Sequence, residues 1–225
     1  INEIPVEFDN EQIIQTLKVR RMNQQDIASL VNECCPLIKP KAVYAYEKVA
    51  TIEKEIVSLQ SGHNFKSTIL ADTLKKDQII AVYVITIGPK LEEKASEKAK
   101  TSMIQTWIME SIGDYALRKA FQSFQLMIKD RLGTCLSSFG PGTGTGKLFS
   151  IDQQQMLFKI LDPPKMIGVN LTPSYLMLPR KSISGILAET NLEYVACQYC
   201  PREKCQNRRK PFKGEYTSID SGHEI

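Results

Sequence analysis

QIIAVYVITIG, residues 78–88, is nearly unbroken in β-branched and aromatic side chains. A run with no polar face predicts a strand covered on both sides, and Gly88 and Pro89 mark its end. Elsewhere apolar positions recur at helical spacing. Ile27, Leu30, Val31 and Cys34 predict a helix over 23–36 with Asn23 as cap, and a shorter helix is predicted over 10–19. KPKAVYAYEKVATI (39–52) alternates partly and predicts a strand; Ser67 is placed to cap a helix over 67–77. From Pro89 to about Arg131 the pattern is helical: first LEEKASEKAK, then a longer segment with Ile104, Trp107, Ile108, Ser111, Ile112 and Tyr115 as one stripe. Ser150 is placed to open a further helix over 150–162. Residues 166–190 break into strand-like pieces around Pro173 and Pro179, and NLEYVACQYC (191–200) predicts another strand. The tail from Pro201 is polar and basic, with little to bury. Strands interrupted by long helices, without steady βαβ alternation, predict an α+β fold. The expected organisation is an N-terminal helical and strand segment (1–66) packed on a core (67–196), followed by a cysteine-rich basic tail (197–225).

Composition narrows the function classes. The chain has 225 residues, 42% hydrophobic and 24% charged, with formal net charge +4 and no repeat or low-complexity tract. That balance is ordinary for a globular protein. The lysines are scattered and no nucleic-acid motif accompanies them, so nucleic acid is not the expected partner. No apolar run approaches the roughly 18 residues of a membrane span and no signal-peptide pattern opens the sequence, which predicts a cytoplasmic protein without a membrane partner. Six cysteines in that compartment are not expected to form a disulfide framework.

Three of them stand as C-x2-C-x4-C: Cys197, Cys200 and Cys205. Thiolates this close can grip one soft metal, which makes the triplet a candidate zinc or iron–sulfur site. A fourth ligand would come from Cys34, Cys35, Cys135, His223, an exogenous group or a partner protein. Arg202, Lys204, Arg208, Arg209 and Lys210 favour thiolates there. Cys34, Cys35 and Cys135 fit small buried apolar positions better. The second candidate is SSFGPGTGTGKLFSID (137–152). A phosphate-binding loop of the form G-x-x-x-x-G-K-[ST], aligned on Gly146 and Lys147, would need glycine at Pro141 and a hydroxyl at Leu148, and the preceding DRLGTCLSS is too short and polar for a buried strand. Glycines still permit close approach of backbone to a ligand. No catalytic constellation is evident. His63 and His223 have no triad partners, Glu110 and Asp114 are expected to pair with Arg118, and Arg180 and Lys181 are either an anion site or surface charges.

MIGVNLTPSYLMLPRKSISG resembles the activation domain of cobalamin-dependent methionine synthase, whose corresponding run has the form IG-x-x-LT-x-S-x-x-M-x-P-x-x-S-x-SG. Ile167, Gly168, Leu171, Thr172, Ser174, Met177, Pro179, Ser182, Ser184 and Gly185 match without a gap. PGTG (141–144) stands ahead of it where the family has R-x-x-x-G-Y, and VITIG followed by long helices and the terminal cysteine triplet are similar to small stand-alone relatives. The resemblance covers most of 75–205. It implies a C-shaped α+β domain around a twisted antiparallel sheet that binds S-adenosylmethionine and presents it to a corrinoid (vitamin B12) on another protein, which a flavodoxin-type donor reduces. The ligand loop would be Pro141, Gly142, Thr143 and Gly144, with Tyr194 beside it. The chain departs from the pattern at Ser138, in the arginine position, and Thr143, in the tyrosine position; Arg131, Lys147 or Arg180 would then supply the cation. The expected role is that of a component of a cobalamin-dependent methyltransferase (methionine synthase) system. The alternatives are a non-catalytic docking module for a corrinoid protein and a zinc-stabilised interaction protein.

Overall fold

A computed structural model of the chain describes residues 2–6, 10–17, 23–190, 194–205 and 208–217. In chain order the elements are β1 (Asn2–Glu3), α1 (Asn10–Leu17), α2 (Gln24–Cys34), β2 (Lys41–Glu53), β3 (Ile56–Leu59), β4 (Asn64–Lys66), α3 (Thr68–Thr73), β5 (Ile79–Thr86), α4 (Lys90–Lys98) and α5 (Met103–Leu132). After these come β6 (Leu136–Phe139), α6 (Gln154–Leu161), α7 (Pro163–Ile167), β7 (Asn170–Leu171), β8 (Met177–Leu178) and β9 (Ser182–Glu189). The architecture is α+β. Hydrogen bonds order the main sheet β4-β3-β2-β5-β9-β6, with β1 also on β2, and β7 and β8 form a separate hairpin. The pairs β1–β2, β2–β3, β3–β4 and β6–β9 are antiparallel.

The local signals that act over a few residues are realised. Asn23 Oδ1 accepts the Gln25 N–H at 3.2 Å, and Ser67 Oγ accepts the Leu70 N–H at 3.2 Å, each satisfying an orphan donor of a first helical turn. The β5 strand is buried along all but its first residue. Differences appear where the chain turns. Helix α2 gives way to a 3-10 turn at Cys35–Leu37, where Pro36 follows and lacks the N–H that an α-helix would use. Helix α3 stops at Thr73, and Leu74 is already extended. Residues Ile151–Gln153 form a 3-10 turn ahead of α6, and Ser150 makes no side-chain cap bond to it.

The chain divides into two compact units, 1–43 with 84–127 and 163–183, and 44–83 with 128–162 and 184–225. In the first, Ile13, Ile27, Val31, Cys34, Ile87, Leu91, Ile108 and Ile112 share one core. The expected stripe on α5 is shifted: Ile104 and Trp107 are 42% and 46% exposed, whereas Ile108, Met109, Ile112, Tyr115 and Ala116 are buried. In the second unit, Phe65 and Phe149 meet edge to face, centroids 6.0 Å apart, and Phe139, Ile69, Leu70 and Leu157 are buried with them.

Two expectations for the C-terminal end are corrected. Residues 191–193 lie outside the described residues, and Ala196–Tyr199 is a 3-10 turn, not a strand. The tail is packed: Tyr199 and Tyr216 meet edge to face at 5.1 Å, the Tyr216 hydroxyl donates to Asp72 at 3.1 Å, and the Lys213 N–H donates to the Gln198 carbonyl at 2.8 Å. Among the described residues no helix is long and apolar enough to cross a membrane.

Candidate functional site

Strand β6 delivers the chain into the glycine-rich loop, and β9 runs antiparallel beside it, Phe139 opposite Ile186. The loop closes on itself. The Gly142 N–H donates to the Phe149 carbonyl at 2.8 Å, Thr143 to Gly140 at 3.2 Å and Gly146 to Thr143 at 3.2 Å, while the Lys147 N–H donates to Thr145 Oγ1 at 3.1 Å. With these amides spent internally, the loop is no phosphate nest. A strand does precede it, contrary to the polar reading of DRLGTCLSS, but no helix opens at Lys147; Leu148 and Phe149 are buried instead. Gly142, Gly144 and Gly146 all adopt left-handed φ, between +69° and +76°, where side chains are disfavoured. Pro141 is buried, whereas Gly142, Thr143 and Lys147 are exposed.

The predicted partner Tyr194 is brought to the loop. Thr143 Oγ1 donates to the Gly140 carbonyl at 2.7 Å, and the Thr143 side chain also hydrogen-bonds the Tyr194 hydroxyl. Burial pushes the Tyr194 hydroxyl up to about 12, with the Thr143 bond opposing. Its ring stacks with Phe139 at 5.0 Å and with Tyr199 at 5.9 Å, and the residue is buried. Tyr194 therefore braces the loop from behind and offers no open ring face. A Cβ on Gly144 would stand 3.2 Å from the Ala196 carbonyl, and one on Gly142 would stand 2.5 Å from Ile151 Cδ1, whereas one on Gly146 meets nothing within 4 Å. The loop is thus tightly backed at its first half and open at Gly146.

Ser138, in the arginine position, shares a 2.9 Å hydrogen bond with the Tyr83 hydroxyl, which burial raises to about 12. Of the three substitute cations, Arg131 lies over the Tyr46 ring, 4.3 Å from its centroid. Arg180 is held in the first unit by Glu92 (2.8 Å) and Glu110 (2.7 Å). Lys147 stays exposed at the end of the loop itself.

The matched motif block has mostly architectural partners. Thr172 Oγ1 meets Ser174 Oγ at 3.0 Å and accepts the Leu176 N–H at 3.0 Å, building the turn between β7 and β8. The Leu178–Pro179 bond is cis, and Ser182 Oγ donates to the Pro179 carbonyl at 2.7 Å. Gly185 permits close strand approach: a Cβ there would stand 2.6 Å from the Phe139 carbonyl. In the first unit, Gly168, Leu178 and Pro179 line a groove of about 580 Å³ with Pro89, Glu92, Glu93 and Ser96. Lys181 binds Glu110 at 2.8 Å and Asp114 at 2.6 Å. The carboxylate pair on α5 is thus completed by Arg180 and Lys181 rather than by the expected Arg118, and these two cations are neither an anion site nor idle surface charges.

None of the six cysteines, all of them among the described residues, is in a disulfide. Cys34 is buried, Cys35 half-buried and Cys135 exposed, so Cys135 is not the buried hydrophobe expected. Burial is the main cause that pushes the Cys34 thiol up to about 12. Cys197, Cys200 and Cys205 are half-buried. Burial raises the Cys197 thiol, but the Arg209 N–H, the Arg209 side chain and the Lys210 N–H reach it and hold it below its usual value. The Arg208 guanidinium donates to the carbonyls of Cys197 (2.7 Å), Cys200 (3.1 Å) and Arg202. Among the described residues no three His, Cys, Asp or Glu side chains are grouped to hold a metal ion, so the triplet as arranged does not fit a zinc ion or cluster. His223 lies outside the described residues, and His63 is half-buried, its Nδ1 3.1 Å from Ser61 Oγ. Sequence reasoning missed Tyr83, Tyr199 and Ile151, which reach the loop only through the fold.

No curated protein matches the chain by sequence. Residues 137–211 match the activation domain of vitamin B12-dependent methionine synthase. That activation-domain match runs from β6 through the glycine-rich loop and the motif block to the cysteine triplet. Among solved structures, the crystal structure of the MetH reactivation domain bound to AdoHcy is similar in fold, with TM-score 0.59 and 12% identity, covering 86% of this chain and 81% of that one. The α+β architecture and the family resemblance drawn from the sequence are both borne out.

Proposed function

We propose that this chain binds S-adenosylmethionine along the exposed side of the glycine-rich loop and serves the reductive reactivation of a corrinoid-dependent methyltransferase such as methionine synthase. The observation that carries the reading is the loop itself. It stands within the activation-domain match, exposes Gly142 and Thr143, and holds three glycines at left-handed φ, so ligand atoms can lie directly on backbone. Gly142, Thr143 and Gly144 form the contact surface, while buried Pro141 and Tyr194 fix its course from behind. Lys147 takes the part of the missing arginine and faces the ligand carboxylate. S-adenosylmethionine supplies a methyl group made electrophilic by its sulfonium; this chain's residues bind and orient it. The corrinoid belongs to a separate partner protein, and the electron comes from a flavodoxin-type donor.

Calorimetry with S-adenosylmethionine and S-adenosylhomocysteine tests this. The expected result is micromolar affinity, weakened about tenfold by Lys147→Met, the value of one charge-assisted hydrogen bond. A second reading, a docking module for a corrinoid protein without its own ligand, draws support from Tyr194, whose ring and hydroxyl are both taken up internally. No heat at millimolar ligand, with retained capture of a corrinoid protein, selects it.

A further inference from the structure

The cysteine turn abuts the glycine-rich loop, and that adjacency has chemical content. We propose that Cys197 and Cys200 form a dithiol–disulfide couple whose redox state sets the conformation of the loop. The Cys200 N–H donates to the Cys197 carbonyl at 3.4 Å, closing the turn from one cysteine to the other. A turn closed between residues three apart keeps their Cα atoms within about 7 Å, and a disulfide spans about 4.4–6.8 Å. Arg208 clamps both cysteine carbonyls, so the turn is preformed. Both thiols are free and half-buried, within reach of a small reagent. The oxidant is a small disulfide such as oxidised glutathione. One cysteine thiolate attacks it and displaces one thiol; the other cysteine then attacks the mixed disulfide and displaces the second. Two cysteine S–H bonds and one S–S bond are lost, one S–S and two S–H bonds form, and the pair gives two electrons to the small disulfide.

Two contacts carry the change to the loop. The Ala196 carbonyl lies against Gly144, and Tyr199 stacks on Tyr194, which is bonded to Thr143. Drawing the sulfurs to about 2.05 Å takes Cys197 off the Arg209 and Lys210 N–H groups that reach it in the reduced form, and re-aims both contacts. The effect on ligand rests on the proposed binding function; the disulfide and the loop response do not.

The test equilibrates the full chain with reduced and oxidised glutathione, maps disulfides by mass spectrometry, and follows hydrogen exchange over 140–147. The expected results are a Cys197–Cys200 disulfide, an exchange change at the loop of about threefold or more, and loss of both in Cys197→Ser and Cys200→Ser. S-adenosylhomocysteine affinity should differ about fivefold between the two states, the lower end of an allosteric coupling. Pairing through Cys205, stoichiometric zinc or iron that blocks oxidation, or an oxidised chain with unchanged loop exchange would each overturn the proposal. If either variant fails to fold, the wild-type titration decides it. If S-adenosylhomocysteine binds neither state, the ligand function fails while the disulfide and exchange results still judge the couple.

Discussion

A methyl group at position 185 would stand 2.6 Å from the Phe139 carbonyl oxygen and 2.9 Å from the Tyr83 hydroxyl. Neither neighbour can move easily, since Phe139 is locked in the β6–β9 ladder and Tyr83 is 2% exposed. Gly185→Ala should therefore cost about 1–3 kcal/mol, the range of overpacking, seen as a lower urea midpoint at unchanged slope. Gly146 provides the contrast. It has open space at its Cβ direction and φ of +71°, so Gly146→Ala should cost only the left-handed strain, about 1 kcal/mol. Both glycines were legible as motif or loop residues. Their different reasons were not, because those depend on which backbone lies across from them.

At the scale of elements, short-range signals survived and long-range ones stayed hidden. The Asn23 and Ser67 caps act on N–H groups two and three residues away, within any local window. Ser67 also donates to the Leu148 carbonyl at 2.8 Å, 81 residues along, so Ser67→Ala should cost about 1–2 kcal/mol as a lost cap and loosen the end of the glycine-rich loop, read by denaturation and by exchange at 147–149. The network on α5 was misassigned for the same reason: Arg180 and Lys181 reach Glu110 and Asp114 from 70 and 67 residues away, whereas Arg118 was merely near in sequence. Burial raises the Glu110 carboxyl, but Lys181 and Arg180 outweigh it and hold the group below its usual 4.5. A depressed carboxyl stabilises the fold above its unfolded pKa and loses that contribution as pH falls through the folded value. Burial lowers the Lys181 ammonium, but Asp114 and Glu110 outweigh it and keep it above its usual 10.5, so its contribution holds below that pH and fades above it. Wild type should exceed Glu110→Gln in urea stability by a constant margin through neutral pH, and the margin should close below pH 4.5. A margin that grew on acidification would contradict the assignment.

Across the whole molecule, the two halves of the matched motif fall in different units. Ser184 and Gly185 of β9 belong with the glycine-rich loop, Tyr194 and the cysteine turn, while Gly168, Thr172 and Pro179 belong with the groove beside Glu92 and Glu93. The contiguous match in sequence gave no sign of that division, because the unit boundary cuts inside β9, between residues 183 and 184. It makes the location of the ligand a measurable question. At a hundredfold excess over its dissociation constant, S-adenosylhomocysteine should stabilise the fold by about 2.7 kcal/mol. For a chain of this length that raises the melting temperature by roughly 5–10 °C. Heating alone cannot say where the ligand sits, but hydrogen exchange can: protection should appear at 140–147 and 184–186 before it appears at 166–179. The Ser184 hydroxyl, 3.4 Å from Gln154, ties the second of these regions to α6, so slowed exchange should extend to the start of that helix. Protection confined to residues 89–96 and 166–179 would instead put the ligand in the groove of the first unit and leave the glycine-rich loop a structural turn.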